Sequence, residues 1–480
     1  MTLHRQPHHT TTPPLVQAEP LRYPDTESVR MMTRRGWWLV AVNILIPGSA
    51  QVLAGRRRLG RIGLRSTMFL WFAAIVGIIL AIGARQALLW LFVGGGWISW
   101  VALTLVQLLL LAYALLWLVL TFDMLRLVRL VRVAPLARVA IPLVAVLVLT
   151  LLGAAAVYGA SVVGSSRSAL TTVFGKGGPS LPPSDGYYNV LLLGADSGEE
   201  RDSMRFDSIS VVSVNAESGA VTITGIPRDL PGFPFSEGPM HDRYPDGFYE
   251  HDDEECGWGA GINQLTNAVE ECTEGEALYP DAETQGSTPA VEATKDAAEG
   301  ILGISIPYYV AIDMHGFAQL IDALGGVDIE VSERLPKGGG PAYDDQPADE
   351  WAIGWIEPGQ QHMDGDTAQW YARSRYTTDD WDRMLRQRQL QEAILAQFTP
   401  QNVLARFHEV AAAGTAVVHT DLPQGKLPEF FDLMLKAKQQ PVTTIELTPE
   451  FGVDEWNPDY EAVRQLVQST LHPPAEDDEE

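Results

Sequence analysis

Three stretches of the chain carry almost nothing but apolar side chains: "TMFLWFAAIVGIILAIG" (67–83), "ISWVALTLVQLLLLAYALLWLVLTF" (98–122) and "VAIPLVAVLVLTLLGAAAVYGASVV" (139–163). Each is close to or above the run a helix needs to cross a bilayer core, so three spanning helices are predicted. A fourth run, "GWWLVAVNILIPGSAQVLAG" (36–55), is interrupted by Pro47 and Gly48 and has Arg34, Arg35 and Arg56 to Arg58 at its ends. It reads as re-entrant, with an extra span as the alternative. The membrane region is therefore placed at 36–163, behind a low-complexity tail (1–35) expected to be disordered.

Beyond 163 the pattern changes. "GSSRSALTTVFGKGGPSLPPSDG" (164–186) is rich in Gly, Ser and Pro and reads as a linker. "YYNVLLLG" (187–194) is a continuous apolar run of strand length, and "DSISVVSVN" (207–215) and "AVTITGI" (220–226), joined through Glu217, Ser218 and Gly219, predict a hairpin. Helical spacing follows in "INQLTNAVEEC" (262–272) and in "PAVEATKDAAEGIL" (289–302), where Thr288 is placed as N-cap. "IPYYVAID" (306–313) and "VDIEV" (327–331) are strands around a helix at 316–326 closed by glycines. Helices near 381–398, 401–412 and 424–438, a strand at 443–447 and a helix at 460–471 complete the pattern. Strands alternating with helices predict an α/β domain over 187–472, its central sheet flanked by helices, before an acidic solvated tail at 473–480.

Charge sharpens this division. Residues 1–163 hold 15 Arg, no Lys and 4 acids, a net +11, and 164–480 carry the opposite excess, −37. The short loops 56–65 and 123–138 are strongly basic, which places both in the cytoplasm and the domain that follows the last span outside the cell. The two cysteines, Cys256 and Cys272, both fall in the exported part. A disulfide fits that compartment, and a pair of buried thiols is the alternative.

Positive charge in the acidic part gathers in "YARSRYTTDDWDRMLRQRQ" (371–389), arginine every time. A helix from Asp380 turns about 100° per residue, putting Asp380, Arg383, Arg386 and Gln387 on one side with Leu390 and Ile394. Guanidinium forks bind phosphate in bidentate fashion and stay charged when partly buried, so this face suggests a pyrophosphate site. The alternative is a solvated helix, which is the reading for Arg386 and Arg388. Asp196 and Asp207 stand at strand ends as a pair of oxygen donors suited to a hard cation, Arg205 precedes Asp207, and Arg228 and Asp229 end another strand. No phosphate loop, nucleophile elbow or zinc-type spacing is present, and the histidines are scattered.

In order, "NVLLLGADSGEERDSMRFDSISVVSVNAESGAVTITGIPRDL", "GINQLTNAV", "GISIPYYVAIDMHGFAQLIDALGGVDIEV" and "IEPGQQHMDGDTAQWYARSRYTTDDWDRMLRQRQ" resemble the successive motifs of the LytR-CpsA-Psr family over roughly 187–400. The resemblance implies a membrane-anchored, extracytoplasmic phosphotransferase. Such an enzyme moves a glycopolymer from a polyprenyl-pyrophosphate carrier to the muramic acid 6-hydroxyl of peptidoglycan and leaves a phosphodiester. It implies Mg²⁺ (or Mn²⁺) on Asp196 and Asp207, and pyrophosphate binding by Arg205, Arg228, Arg373, Arg375, Arg383 and Gln387. Asp380 and Asn263 are support positions, and Asp207 or Asp229 is the proton acceptor. Gly261 and Ile262 stand where the family often has Lys-Ile before that asparagine, so the lysine is replaced by Gly261. The expected partners are the lipid-linked glycopolymer, peptidoglycan and the membrane, with no nucleic acid. High Trp, Ala and Arg content fits an actinobacterium, where the polymer would be arabinogalactan or a related glycan. A non-catalytic receptor for lipid-linked anionic glycans, and a pyrophosphatase acting on them, are the alternatives.

Overall fold

A computed structural model describes residues 21–175, 177–196, 205–343, 345–374, 376–378, 380–397 and 418–473. The helix expected at 401–412, the tail up to residue 20 and most of the acidic C-terminus lie outside the described residues. The chain forms two compact units, Met1–Phe92 with Trp97–Gly164, and Val93–Gly96 with Ser165–Glu480.

The first unit is helical: α1 (Val29–Leu45), α2 (Ser49–Leu53), α3 (Arg57–Gly83), α4 (Arg85–Phe92), α5 (Gly96–Val128) and α6 (Pro135–Phe174). Three of these helices, starting at Arg57, Gly96 and Pro135, are long and apolar enough to cross a membrane. The interrupted run is a helix, a break at Ile46 to Gly48 and a short second helix. Gly48 has φ of 95°, and a Cβ there would lie 2.5 Å from Leu64 N and 2.7 Å from Gly60 O, so only glycine permits this return against α3. The last long helix continues to Phe174, so the first eleven residues of the expected linker are helical. "GSSRSALTTVF" contains no proline, and the Gly/Pro punctuation that stops a helix begins only at Gly175.

In the second unit, β1 (Tyr187–Asp196), β2 (Arg205–Asn215) and β3 (Val221–Ile226) form a meander. Then come α7 (Pro289–Leu302), β4 (Tyr308–Asp313), α8 (Met314–Leu324), β5 (Val327–Val331), β6 (Leu335–Lys337), β7 (Gly354–Ile356), β8 (Gly359–Met363), α9 (Gly365–Arg373), α10 (Asp380–Gln397), β9 (Val418–Thr420), α11 (Leu427–Ala437), β10 (Thr443–Glu446) and α12 (Tyr460–Leu471). The main sheet has six strands in the order β10-β3-β2-β1-β4-β9, and β5/β8 and β6/β7 pair separately. It is mixed: β1 runs parallel to β4 and β3 to β10, while the meander is antiparallel.

Alternation along β1 explains why both faces are covered. Leu191, Leu193 and Ala195 point to a core shared with Val291, Ala297 and Ile301 of α7 and Val463 and Val467 of α12. Tyr188 and Val190 point the other way, onto Leu433 and Phe430 of α11. A further cluster joins Ile321, Val327, Ile329, Met363, Tyr371 and Leu390, tying α9 and α10 to the small sheet. Ile321 and Leu324 of α8 are buried, and Phe317 packs beside that cluster.

The segment 262–272 does not form the single helix its spacing predicts. It is a 3-10 turn (Ile262–Gln264) followed by a π-helical turn (Asn267–Glu271). Two anchors hold it: Asn263 N donates to Arg228 O at 3.1 Å, and Cys272 is bonded to Cys256 in a disulfide. These long-range ties outweigh local periodicity.

Asp296 on α7 gives the second unit a pH-dependent element. Its carboxylate accepts from Tyr279 Oη at 2.5 Å. Burial, followed by Glu299 and Glu292 on the same helix, outweighs the Tyr279 bond and Lys295 and pushes its pKa up to about 7. A carboxyl raised in the folded state stabilises the fold while protonated, so that contribution is complete below the unfolded value of 3.8 and is lost as pH rises through about 7. Urea midpoints of the full chain in detergent are therefore expected to fall between pH 5 and 8. In Asp296→Asn that slope flattens, and an unchanged slope would remove Asp296 as its source.

Candidate functional site

The meander brings three sequence-distant segments to one end of the sheet. Asp196, at the end of β1, pairs across the ladder with Arg205, at the start of β2, after a register shift at Gly194/Ala195. The end of β3 delivers Arg228 and Asp229 beside Asp207, because Ile226 pairs with Ile209 two residues further on. β4 ends at the same place, since Ala195 is in register with Asp313.

Here lies a cavity of about 420 Å³. Arg205, Asp207, Arg228, Asp229, Asn263 and Gln264 line it, and α10 contributes Arg383 and Gln387. Trp370, Arg373, Ser374 and Tyr376, with Gly338 and Gly339, complete the lining. A larger open depression of about 680 Å³, around Glu270, Glu274 and Glu276, contains none of the expected site residues.

Arg228 sits between two carboxylates. Its Nη1 donates to Asp207 Oδ1 at 2.7 Å and its Nε to Asp229 Oδ2 at 3.2 Å. Asp207 and Arg228 are largely sheltered, whereas the Asp229 side chain is 68% exposed. Asn263 Nδ2 reaches Asp229 Oδ1 at 3.4 Å, and Gln264 Nε2 donates to Asn263 Oδ1 at 3.3 Å. A Cβ at Gly261 would lie 2.8 Å from Arg228 O and 2.9 Å from Asp229 Cα. The glycine at this departure from the family pattern therefore belongs to a close backbone contact that seats Arg228.

Arg383 and Gln387, four residues apart and on one face of α10, both reach the cavity although nearly buried. Gln387 Oε1 accepts from Ser208 Oγ at 2.9 Å and its Nε2 donates to Ala372 O at 3.3 Å, so it joins β2 to α9. Arg373, the last residue of α9, lies with its guanidinium 5.6 Å from the centroid of the Trp370 ring. Arg375 lies outside the described residues, and so do the side chains of Asp196 and Asp380.

Arg386 and Arg388, expected as solvated charge, are 5% and 3% exposed. Arg386 donates through Nε to Tyr371 O at 3.1 Å and through Nη2 to Ser374 O and Thr378 Oγ1, so it caps the carbonyl end of α9. Arg388 Nε pairs with Glu446 Oε1 of β10 at 2.7 Å, and its Nη1 donates to Gln391 Oε1. The reason is positional: α10 lies against α9, against β5, and against β3 with β10, so it is covered on several faces. The pocket-lining Gly338, Gly339, Trp370, Ser374 and Tyr376 did not emerge from the sequence either, although "KGGG" (337–340) was its available signal.

As a chemical object the cavity is rich in arginine with acid groups among them. Four arginines converge on it, and among the described residues no group of three or more His, Cys, Asp or Glu side chains stands together to hold a metal. The two described carboxylates, Asp207 and Asp229, are oxygen donors of the type a hard cation takes, and both are paired with Arg228.

Comparison with known proteins assigns the chain to a family. The LytR_cpsA_psr family model matches residues 165–231 and 282–472, more than half of the chain. Among curated relatives, the "Polyisoprenyl-teichoic acid--peptidoglycan teichoic acid transferase TagU" of Halalkalibacterium halodurans is 27% identical over 238 residues, 49% of this chain and 61% of that protein. The "Cell wall biosynthesis protein LcpA" of Corynebacterium glutamicum is 24% identical over 383 residues, 70% of this chain and 66% of that protein. The chain thus spans a little under two thirds of the length of these relatives. The solved structure of B. subtilis TagV is 20% identical, with TM-score 0.40, covering 59% of this chain and 97% of that one. TagT (YwtF) with bound octaprenyl pyrophosphate lipid is 19% identical, with TM-score 0.36, covering 62% of this chain and 96% of that one. By the extent of the family match, this chain belongs to the LytR-CpsA-Psr family.

Proposed function

We propose that this protein transfers a glycopolymer from a polyprenyl-pyrophosphate carrier to the 6-hydroxyl of muramic acid in peptidoglycan, forming a phosphodiester outside the cell. The observation that carries the reading is the convergence of Arg205, Arg228, Arg373 and Arg383 on one cavity that also holds Asp207 and Asp229. The relatives named for teichoic acid transfer to peptidoglycan support it.

No nucleotide is at hand outside the cell, so the energy comes from the phosphoanhydride of the carrier. The acceptor oxygen attacks the phosphorus that bears the glycan, the P–O–P bond breaks, and polyprenyl phosphate leaves. Asp229 is positioned to take the acceptor proton: both carboxylates pair with Arg228, but that of Asp229 is 68% exposed and the longer contact at 3.2 Å, whereas that of Asp207 is sheltered and held at 2.7 Å. Arg228, Arg373 and Arg383 bind the equatorial oxygens and stabilise the charge that moves onto the leaving phosphate. Mg²⁺ or Mn²⁺, held by Asp207 with Asp196, would neutralise the same charge. The long apolar helices keep the domain at the membrane surface where the lipid carrier lies, and the arginine-rich loops between them favour a cytoplasmic location for those loops.

The test mixes the full chain in detergent with a lipid-pyrophosphate-linked oligosaccharide, peptidoglycan fragments and Mg²⁺. Mass spectrometry is expected to find the glycan joined to muramic acid by one phosphate. Release of phosphorylated glycan without coupling would make the protein a pyrophosphatase. Binding without turnover would make it a receptor.

A further inference from the structure

The cavity has two unlike halves. By residue type, one is charged; the other consists of Trp370, Ser374, Tyr376 and the peptide groups of Gly338 and Gly339, with the Arg373 guanidinium at its border, 5.6 Å from the Trp370 ring centroid. On the transferase reading, two phosphoryl groups bound by the arginines would leave this second half to whatever the phosphate carries.

Tyr376 is the residue that gives this half its character. It is 43% exposed, yet its ring is held on three sides. Its Oη donates to Gly339 O at 2.7 Å. Trp351 packs edge-on against it, ring centroids 4.8 Å apart and planes at 68°. Gly340 has φ of 102°, and a Cβ there would lie 2.1 Å from the tyrosine ring, so the ring rests on a bare Cα that no other residue could supply. An exposed aromatic ring that is already immobilised loses little freedom when a ligand covers it, which favours binding.

We infer that Tyr376, buttressed by Trp351 and Gly340, is a platform for the pyranose ring next to the transferred phosphate of the lipid-linked donor. This rests on the transferase reading above. A sugar ring has an apolar C–H face and a rim of hydroxyls, and an aromatic face beside the glycine backbone and the Arg373 guanidinium matches both. A prenyl chain fits less well, because Arg373 and the glycine peptides interrupt the apolar surface. The donor is favoured over the acceptor because Tyr376 and Ser374 follow Arg373 at the end of α9, and the donor sugar is covalently joined to the phosphate those arginines would hold.

The experiment measures Kd of the full chain in detergent for two synthetic lipids, a short-chain polyprenyl pyrophosphate and the same lipid bearing one N-acetylhexosamine. The native protein is expected to prefer the sugar-bearing lipid at least tenfold. Tyr376→Ala is expected to lower that preference about tenfold, and Tyr376→Phe, which keeps the ring, to retain most of it. Equal weakening toward both lipids would mean that the ring only supports the fold or the chain, and would overturn the inference. So would an unchanged preference in Tyr376→Ala, or a loss confined to KM for the peptidoglycan acceptor. A native protein that binds neither lipid would overturn the transferase reading itself, a result independent of Tyr376.

Discussion

Replacing Arg228 with alanine is expected to lower transfer by about 10²- to 10³-fold, the range found when one preorganised donor to developing negative charge is removed. The expectation rests on where the guanidinium lies. It bridges Asp207 and Asp229 at 2.7 and 3.2 Å, and its own carbonyl accepts from Asn263 N. Without it, a donor to the phosphoryl oxygens is gone, and two carboxylates face a polyanionic substrate with no cation between them. Arg228→Lys should recover only a small part, because an ammonium cannot present two parallel donors to two acceptors. Initial rates of polyprenyl phosphate release under saturating acceptor would give kcat/KM for each variant. A parallel thermal unfolding curve separates a chemical loss from a folding one. Retention of activity within about threefold would show that the phosphate binds elsewhere.

How much of this was legible in the sequence varies with the range of the interaction. Thr288 and the spacing behind it define α7, and the VDIEV alternation defines β5, because both patterns are local and each has one buried face. The end-of-strand cluster was also legible, since Asp207, Arg228 and Asp229 stand beside apolar runs that can only be strands. Segment 262–272 was misread because its conformation is set by Arg228 O and by a bond to Cys256, neither of which has a periodic signature. Arg386 and Arg388 were misread for a related reason. Hydrophobic periodicity marks one inward face of a helix, but α10 is enclosed on several faces, and its buried arginines are satisfied by carbonyls and by Glu446. The aromatic half of the cavity was invisible, because Tyr376 faces Gly339 and Trp351 only after the β6–β7 region folds back over the end of α9.

Glu446→Ala is expected to destabilise the fold by about 3–5 kcal/mol, the usual cost of leaving one member of a buried ion pair without its counter-charge. Glu446 and Arg388 are 2% and 3% exposed, and their single contact is 2.7 Å long. Glu446 Oε2 has no hydrogen-bond partner among the described residues, and a Cβ on Gly225 would lie 1.9 Å from it. Burial pushes the Glu446 carboxyl up and the Arg388 guanidinium down, each pulled partly back by the other, so desolvation has taken much of what the pair gains. The two single variants are therefore unequal. Glu446→Ala strands a guanidinium that remains protonated, whereas Arg388→Met leaves a carboxyl that can neutralise by taking up a proton, so its cost is smaller and shrinks as pH falls. The double variant Arg388→Met/Glu446→Leu should recover most of the stability, because apolar side chains of similar volume replace the pair without a charge to desolvate. Pulse proteolysis of the full chain in urea would measure all three. The pair also bears on the site: Arg388 anchors to β10 the helix that carries Arg383 and Gln387, while Gly225, three residues before Arg228, packs on Glu446. Transfer at low temperature, where every variant remains folded, is thus expected to fall in Glu446→Ala and to return in the double variant. Recovery of stability without recovery of activity would show that the charge, and not the placement of the helix, is what the reaction needs.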